Sequence, residues 1–189
     1  MTDAMTFACP ICGARYKFSV KHLGRRVRCG KCGGQLLLRV SPIRVFQRVF
    51  LDIETTGFRP RVGELATVVW YADGTWGHWV NNGMPTDTLQ HVWRYAQQVV
   101  TFNGHKFDEP WLVECLGFQA HANHCDLMEE AASHGLSGGL KRIAVELGIP
   151  RPPELDAMEG KHAPKLWKSA RKGNKCSLCN LLYYNAWDV

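Results

Sequence analysis

The sequence predicts an α/β domain that follows a small, separate N-terminal module. Two features of the 189-residue chain support this fold class. Beyond residue 44, three consecutive strand patterns are followed by alternating helix and strand patterns, which is typical of a sheet with helices packed on it. The first 42 residues instead combine two close cysteine pairs with an excess of Lys and Arg. A boundary at Ser41-Pro42 therefore predicts two domains, 1–42 and 43–189.

The composition is that of a folded globular protein without membrane segments. Hydrophobic residues make up 46% of the chain, and no apolar run is long enough to cross a bilayer. The N-terminal residues lack the charged-then-apolar layout of a signal peptide. We therefore expect a soluble, cytoplasmic protein with no membrane partner.

Positive charge is concentrated at one end of the chain. The whole chain has a net charge of +6, but residues 1–42 contain eight Lys or Arg and one acid, Asp3, so that segment is +7. Residues 43–189 have a net charge of −1. A basic module on a near-neutral body is typical of proteins that bind a polyanion. A small domain can also be charged for solubility alone.

Four cysteines in the basic segment predict a structural zinc site. They form two Cys-x-x-Cys pairs, Cys9 with Cys12 and Cys29 with Cys32, and a glycine follows each pair. Each pair can direct two sulfur atoms at one ion, and two pairs complete a tetrahedron without an open position for catalysis. A glycine that tolerates positive φ lets backbone N–H groups point at the thiolates. The segment resembles the small zinc-ribbon domains of bacterial and archaeal proteins.

The elements of the larger domain follow from apolar periodicity. Ala72-Asp73-Gly74 is a good turn for a hairpin between the second and third strands. The predicted strands are 45–53, 65–71, 75–80, 99–102 and 125–127, and the predicted helices are 86–98, 108–116, 127–133, 140–147, 162–170 and 177–188.

Two acids on the first strand of this domain indicate a metal site. Asp52 and Glu54 are two residues apart, so both carboxylates project from one face of the strand. Like charges near a core repel each other and lose hydration unless cations neutralise them. Mg²⁺ and Mn²⁺ prefer oxygen ligands and suit this pair. Considered alone, the pair could also be solvated at a strand edge.

Two further motifs carry acids. Asp108 stands where a strand and a short loop give way to a helix. Tyr184 and Asp188 are four residues apart on a predicted helix, which places them one turn apart on the same face. A Tyr and an Asp at this spacing often occur by chance, so the argument depends on the three motifs together.

The three motifs together resemble those of the DEDD exonucleases of the ribonuclease H-like superfamily. The matching segments are FLDIETTG, TFNGHKFD and YYNAWDV, in the branch with a tyrosine before the last acid. Within that branch, they are similar to bacterial exonuclease domains related to the proofreading domain of family-B DNA polymerases. The resemblance covers residues 46–189 and implies a mixed sheet flanked by helices.

The resemblance also implies a reaction and the residues that perform it. We expect 3′–5′ exonuclease activity that releases nucleoside 5′-monophosphates from single-stranded or frayed DNA or RNA. Two Mg²⁺ or Mn²⁺ ions would clamp the scissile phosphate. The implied metal ligands are Asp52, Glu54, Asp108 and Asp188; Tyr184 would orient the attacking water, and Thr55, Thr56 and Asn103 would hold the terminal nucleotide. The absence of a side chain at Gly104 would leave space for that nucleotide.

An alternative function remains open at this point. The sequence stops one residue after Asp188, whereas the related domains continue this helix, and terminal helical turns fray. The chain could therefore be a module that binds nucleic acid or protein and keeps the nuclease fold with little turnover. The zinc ribbon could likewise bind nucleic acid or a protein partner.

Overall fold

The computed structural model describes residues 4–9, 11–38, 44–156, 158 and 160–189. The chain divides into two compact units, Met1–Ile43 and Arg44–Val189. The expected boundary at Ser41-Pro42 lies outside the described residues.

The first unit consists of two antiparallel hairpins. Strand β1 (Ala4–Ala8) pairs with β2 (Arg15–Ser19), and a short 3₁₀ helix leads to β3 (Arg26–Arg28), which pairs with β4 (Gln35–Leu37). One Cys-x-x-Cys pair occupies the turn of each hairpin. The small core of the first unit consists of Cys9, Cys29 and Leu36. Four partly buried residues pack against it, namely Cys12, Ala14, Tyr16 and Val27.

The second unit is built on a five-stranded mixed sheet. Its strands are β5 (Phe46–Thr55), β6 (Leu65–Ala72), β7 (Thr75–Val80), β8 (Ala96–Thr101) and β9 (His124–Asp126). They lie in the order β7-β6-β5-β8-β9; β6 is antiparallel to β5 and to β7, whereas β8 is parallel to β5 and to β9. The central strand is therefore β5, which carries the first acidic motif.

Seven α-helices complete the described part of this unit. They are α1 (Asp87–Arg94), α2 (Asp108–Leu116), α3 (Leu127–Ser133), α4 (Leu140–Glu146), α5 (Pro153–Asp156), α6 (Ala163–Ala170) and α7 (Lys175–Asp188). The mixed sheet with flanking helices confirms the predicted α/β fold class.

Helices pack on both faces of the sheet. One core cluster joins the sheet to α1 and α2 and includes Val49, Leu51, Trp93 and Trp111. A second cluster joins the sheet to α6 and α7 through Ala66, Val80, Ala163, Trp167 and Leu181. Towards its C-terminal end β5 is covered on both faces, and its polar residues Glu54 and Thr55 are buried there.

The predicted boundaries lie within two residues of the observed ones except where the first helix gives way to β8. Residues 86–98 were expected to be helical, but α1 ends at Arg94 and residues 96–98 belong to β8. Parallel pairing with β5, in which Phe46 lies opposite Ala96, overrides the local apolar spacing. The short helix α5 was not predicted.

The hairpin between β6 and β7 turns at the predicted residues. Asp73 and Gly74 both have positive φ, 45° and 79°, and their neighbours Ala72 and Thr75 are paired. Two residues of positive φ match the twist of the flanking strands, which is why an Asp-Gly turn suits this position. Among the residues that the structure describes, no helix is long and apolar enough to cross a membrane.

Candidate active site and metal centres

Strand β5 directs its two carboxylates away from the larger core cluster. Val49, Leu51 and Ile53 alternate with Phe50, Asp52 and Glu54, and the three aliphatic side chains pack in the cluster with α1 and α2. The alternating residues face the side on which α6 and α7 lie. Asp52 and Glu54 therefore share one face, as predicted from their spacing.

Helix α7 brings a third carboxylate to the same face. Oxygen atoms of Asp52, Glu54 and Asp188 all lie within 4.8 Å of one another. Asp108, the first residue of α2, is 2% exposed and is close enough to repel both β5 carboxylates electrostatically. The structure thus brings together the four acids that the three motifs predicted.

One cavity of about 480 Å³ collects these groups. Its lining includes all five residues expected to be catalytic, namely Asp52, Glu54, Asp108, Tyr184 and Asp188. Thr55, Thr56 and the 93% exposed ring of Phe58 also line it, and so does Lys161. Asn103 is not among the lining residues, although its neighbour Phe102 is.

The pKa values of the acids show that their charges are poorly compensated. Burial raises the pKa of Asp52 well above its ordinary value, and repulsion from Asp108, Glu54 and Asp188 raises it further. Burial, followed by repulsion from Asp188 and Asp108, raises the pKa of Glu54 in the same direction. Burial also raises the pKa of Asp108 to about 8 and that of Asp188 above its ordinary value.

Asn185 fixes the orientation of the Asp52 carboxylate. Its side-chain amide is fully buried and donates to Asp52 Oδ2 at 2.5 Å, while its carbonyl oxygen accepts from Thr67 Oγ1 at 3.0 Å. This network ties α7 to both β5 and β6 beneath the acids. Sequence analysis did not identify Asn185, which lies next to Tyr184 in the third motif and bonds to a residue far away in the chain.

Arg151 was also missed, and it contacts the fourth acid. Its guanidinium donates to Asp188 Oδ1 at 2.6 Å, and its Cζ lies 5.5 Å from the centre of the Tyr184 ring. Tyr184 is 5% exposed, and burial raises the pKa of its hydroxyl above the ordinary value. The phenol therefore stays protonated and is suited to orient a water rather than to accept a proton.

The loop after β5 is held by its own threonines. Thr55 Oγ1 donates to the Gly57 carbonyl at 2.7 Å, and Thr56 Oγ1 accepts from Glu64 N at 2.8 Å. Glu64 in turn accepts from Trp167 Nε1 on α6 at 2.9 Å. These contacts shape the rim of the cavity, which both threonines line.

Asp126 organises the loop that contains the second motif. Its carboxylate accepts from the backbone N–H groups of Asn103 at 2.7 Å, His105 at 3.1 Å and Met128 at 3.0 Å. Asn103 has φ of 64°, a left-handed conformation that Asn tolerates better than most residues. The clamp therefore holds the strained turn that leads from β8 into α2 and Asp108.

Gly104 in this loop is needed for a different reason from the expected one. We expected the absence of a side chain to leave space for a nucleotide. The residue is buried, however, and a Cβ atom built on it would overlap the Thr101 side chain. Close packing within the loop is therefore enough to require glycine at this position.

Three side chains beside this loop form a second cluster of potential ligands, namely His105, Asp126 and Glu129. Asp126 already accepts three backbone hydrogen bonds, and His105 Nδ1 lies 3.1 Å from Glu129 Oε2. These contacts account for the cluster as a loop clamp.

The acids in the cavity have the properties of a site for hard divalent cations. Their donors are all carboxylate oxygens, which Mg²⁺ and Mn²⁺ prefer. Asp108 Oδ1 is buried and has no hydrogen-bond partner among the described residues, so a ligand of opposite charge would satisfy it. The residues present thus fit the expected Mg²⁺ or Mn²⁺ ions, and Asp52, Glu54, Asp108 and Asp188 are the groups that would hold them.

The four cysteines of the first unit also fit the expected metal. Sγ atoms of Cys9 and Cys32 lie 3.6 Å apart, as do those of Cys12 and Cys29. A tetrahedron with Zn–S bonds of about 2.3 Å has S–S edges of about 3.8 Å. Gly13 and Gly33, which follow the pairs, have φ of 69° and 72°, as the predicted turns require.

A tyrosine supports one of the four sulfur atoms. Tyr16 Oη lies 3.1 Å from Cys29 Sγ and accepts from the backbone N–H of Lys31 at 3.0 Å. This hydroxyl, assisted by backbone N–H groups, lowers the pKa of the Cys29 thiol to about 6. Such outer contacts orient ligands and favour the thiolate that zinc binds.

Comparison with known proteins agrees with this architecture. Residues 49–189 match the RNase_H_2 family of the RNase_H superfamily. No curated protein matches the sequence.

Solved structures of similar fold were also found. The family B DNA polymerase from the hyperthermophilic archaeon Pyrobaculum calidifontis is similar with a TM-score of 0.59 at 15% identity, over 88% of this chain and 27% of the polymerase. A structure described as the apo form of a nuclease has a TM-score of 0.52 at 22% identity, over 76% of this chain and 66% of that one. Brucella melitensis NrnC has a TM-score of 0.47 at 16% identity, over 75% of this chain and 82% of its own. At these identities the likeness concerns the fold alone.

We predict that Gly104→Ala lowers the free energy of unfolding by about 1–3 kcal/mol, the usual cost of overpacking. The added Cβ would overlap Thr101 and force the second-motif loop to move. Gly160→Ala is the control, because a Cβ there meets nothing within 4 Å. Urea unfolding followed by tryptophan fluorescence measures both variants, and equal stabilities would contradict the packing argument.

We also predict that, without divalent cations, the second unit loses stability as the pH rises from about 4 to 8. The pKa of Asp108 is about 8 when folded against about 3.9 when unfolded, so the folded state binds more protons over this range. Asp108→Asn should therefore be more stable than the unmodified chain at pH 8, by at least about 1 kcal/mol.

The control for this effect is Asp87→Asn, which makes the same change at the exposed first residue of α1. All seven tryptophans lie in residues 70–187, so fluorescence reports on the second unit only. An Asp108→Asn variant that is less stable than the unmodified chain at pH 8 would show that the carboxylate is compensated by other means.

Proposed function

Because the chain belongs to the RNase_H superfamily, we propose that it is a metal-dependent 3′–5′ exonuclease acting on single-stranded or frayed DNA or RNA. The observation that carries this proposal is the single cavity lined by Asp52, Glu54, Asp108, Tyr184 and Asp188. The sequence motifs support the polarity, and the carboxylates support the need for metal.

In this proposal the acids hold two Mg²⁺ or Mn²⁺ ions. When bound, such ions stabilise the charge that develops on the attacking and leaving oxygens of a phosphodiester. The reaction breaks the bond between phosphorus and the 3′-oxygen and forms a bond from the water oxygen to phosphorus. The terminal residue therefore leaves as a nucleoside 5′-monophosphate, and the shortened strand keeps a 3′-hydroxyl.

The other residues of the cavity position the reactants. Tyr184, which stays protonated, orients the attacking water, and Glu54 lies in the same cavity, where its carboxylate can accept a hydrogen bond from that water. Thr55 and Thr56 line the cavity and can hold the terminal nucleotide. Asn103 does not line it, and we propose that it contacts the nucleotide from the position next to Phe102, which does. Phe58 offers an exposed aromatic face at the same rim, which suits stacking on a base.

The zinc ribbon is proposed to bind nucleic acid through its charged strands. Arg15 and Lys17 on β2 are exposed and alternate with the half-buried Tyr16 and Phe18. On β3, Arg26 and Arg28 are exposed on either side of Val27. Each hairpin therefore presents Lys or Arg on the face opposite its core, where phosphates can be reached.

We predict that Asp52→Asn lowers the rate of cleavage by more than about 100-fold. Mutating residues that only hydrogen-bond to metal ligands typically costs about 10–100-fold, and loss of a ligand itself should cost more. Oligonucleotides of DNA and of RNA labelled at either end, incubated with Mg²⁺ or Mn²⁺, measure both rate and polarity. A 3′-label should appear at once as mononucleotide, whereas a 5′-label should give a ladder.

The matched control is Asp87→Asn, which should cleave at the unmodified rate. Full activity in Asp52→Asn would remove this carboxylate from the mechanism. Immediate release of a 5′-labelled mononucleotide would reverse the proposed polarity. Binding without cleavage in the unmodified chain would favour the alternative of a module that keeps the fold but lacks turnover.

We predict that replacing Lys17, Arg26 and Arg28 simultaneously by Gln weakens the binding of a long single strand. The same change should reduce the salt dependence of that binding. Three lost phosphate contacts should reduce the slope of log K against log salt by about 2. Neutralising Arg48, Arg94 and Arg142 instead removes the same charge outside the ribbon. If both triple variants have the same slope, the ribbon does not contact nucleic acid and a protein partner becomes the better hypothesis.

A further inference from the structure

Arg151 occupies a constrained position beside the acids. It lies between Pro150 and Pro152 in the segment that joins α4 to α5. The rings of both prolines fix φ on either side of it, and Pro152 also disfavours the helical backbone region for Arg151. The side chain is 12% exposed, and that of its partner Asp188 is 15% exposed. The ion pair is therefore largely removed from solvent.

The guanidinium has more hydrogen-bonding capacity than this contact uses. One nitrogen donates to Asp188 Oδ1 at 2.6 Å. The Nε atom is buried and has no partner among the described residues. A guanidinium makes its strongest contact with a carboxylate through two parallel hydrogen bonds that satisfy both groups. A pair that leaves a buried donor unsatisfied is open to replacement.

The positive charge also acts on the rest of the cluster. Arg151 opposes the rise in the pKa of Glu54 and is the main group opposing that of Asp188. It therefore supplies part of the compensation that a divalent cation would supply. Asp188 shares its cluster with Asp52 and Glu54, all within 4.8 Å. A cation placed among these oxygens would lie close to the guanidinium and be repelled by it.

We propose that Arg151 is the resident counter-ion of Asp188 and competes with the divalent cation for this carboxylate. The inference rests on the proposed function, because it concerns the same metal site. Filling of the site then exchanges one cation for another, and Arg151 raises the metal concentration at which Asp188 becomes a ligand. Once displaced, the guanidinium is free to contact an anion near the site.

Calorimetric titration of the zinc-loaded full chain with Mn²⁺, without nucleic acid, tests the competition. Arg151→Gln should bind Mn²⁺ about threefold or more tightly than the unmodified chain, because a nearby positive charge has been removed. Arg151→Lys keeps the charge and should change the affinity less. Arg142→Gln, an exposed arginine on α4, loses the same charge outside the cluster and should leave the affinity unchanged.

Circular dichroism tests whether each variant is folded. If Arg151→Gln is unfolded, Arg151→Met replaces it, because methionine keeps a long side chain without the charge. Unchanged or weaker Mn²⁺ binding in the uncharged variant would overturn the inference. Equal tightening in Arg151→Lys would also overturn it, because charge could not then be the cause. If Arg142→Gln tightens binding equally, net charge rather than the Arg151–Asp188 pair is responsible.

The inference and the proposed function fail in different ways. A chain that binds Mn²⁺ with the expected order of variants but cleaves no nucleic acid supports the competition and contradicts the nuclease. Cleavage of nucleic acid by the unmodified chain, together with equal Mn²⁺ affinities of that chain and Arg151→Gln, supports the nuclease and contradicts the competition.

Discussion

Repulsion among buried carboxylates is the constraint on which the rest of the second unit depends. Apolar packing cannot relieve it, because like charges in a poorly hydrated site raise one another's pKa unless polar or oppositely charged groups compensate them. Asn185 restrains Asp52, and Arg151 partly neutralises Asp188. These contacts reduce the penalty without removing it, as the raised pKa values show. A fold that keeps such a cluster gives up stability in exchange for a strong attraction to cations.

Much of this arrangement could be predicted from local sequence. The alternation along β5 placed Asp52 and Glu54 on one face, and helical spacing placed Tyr184 and Asp188 one turn apart. Helix α2 and strand β7 were predicted with their observed bounds. These features depend on residues only a few positions apart, so periodicity is enough to reveal them.

The residues that were missed depend on contacts between distant segments. Asn185 bonds to Asp52 across 133 residues, and Arg151 bonds to Asp188 across 37. An asparagine at position 185 and an arginine at position 151 do not by themselves indicate which distant carboxylate each one contacts. The apolar spacing at 96–98 predicts helix, but the parallel ladder with β5 makes these residues extended. The reason for glycine at position 104 is the close approach of the Thr101 side chain, which only the folded loop reveals.

The position of α7 in the chain has a consequence for folding. Strands β5, β6 and β7 are consecutive antiparallel neighbours, so their contacts are local and can form early. The carboxylate cluster needs Asp188, which docks against β5 only after more than a hundred residues have been added. During synthesis the sheet can therefore assemble while the acids on β5 still lack their last partner. A nascent chain consequently lacks the complete carboxylate cluster until α7 has been synthesised and has docked on the sheet.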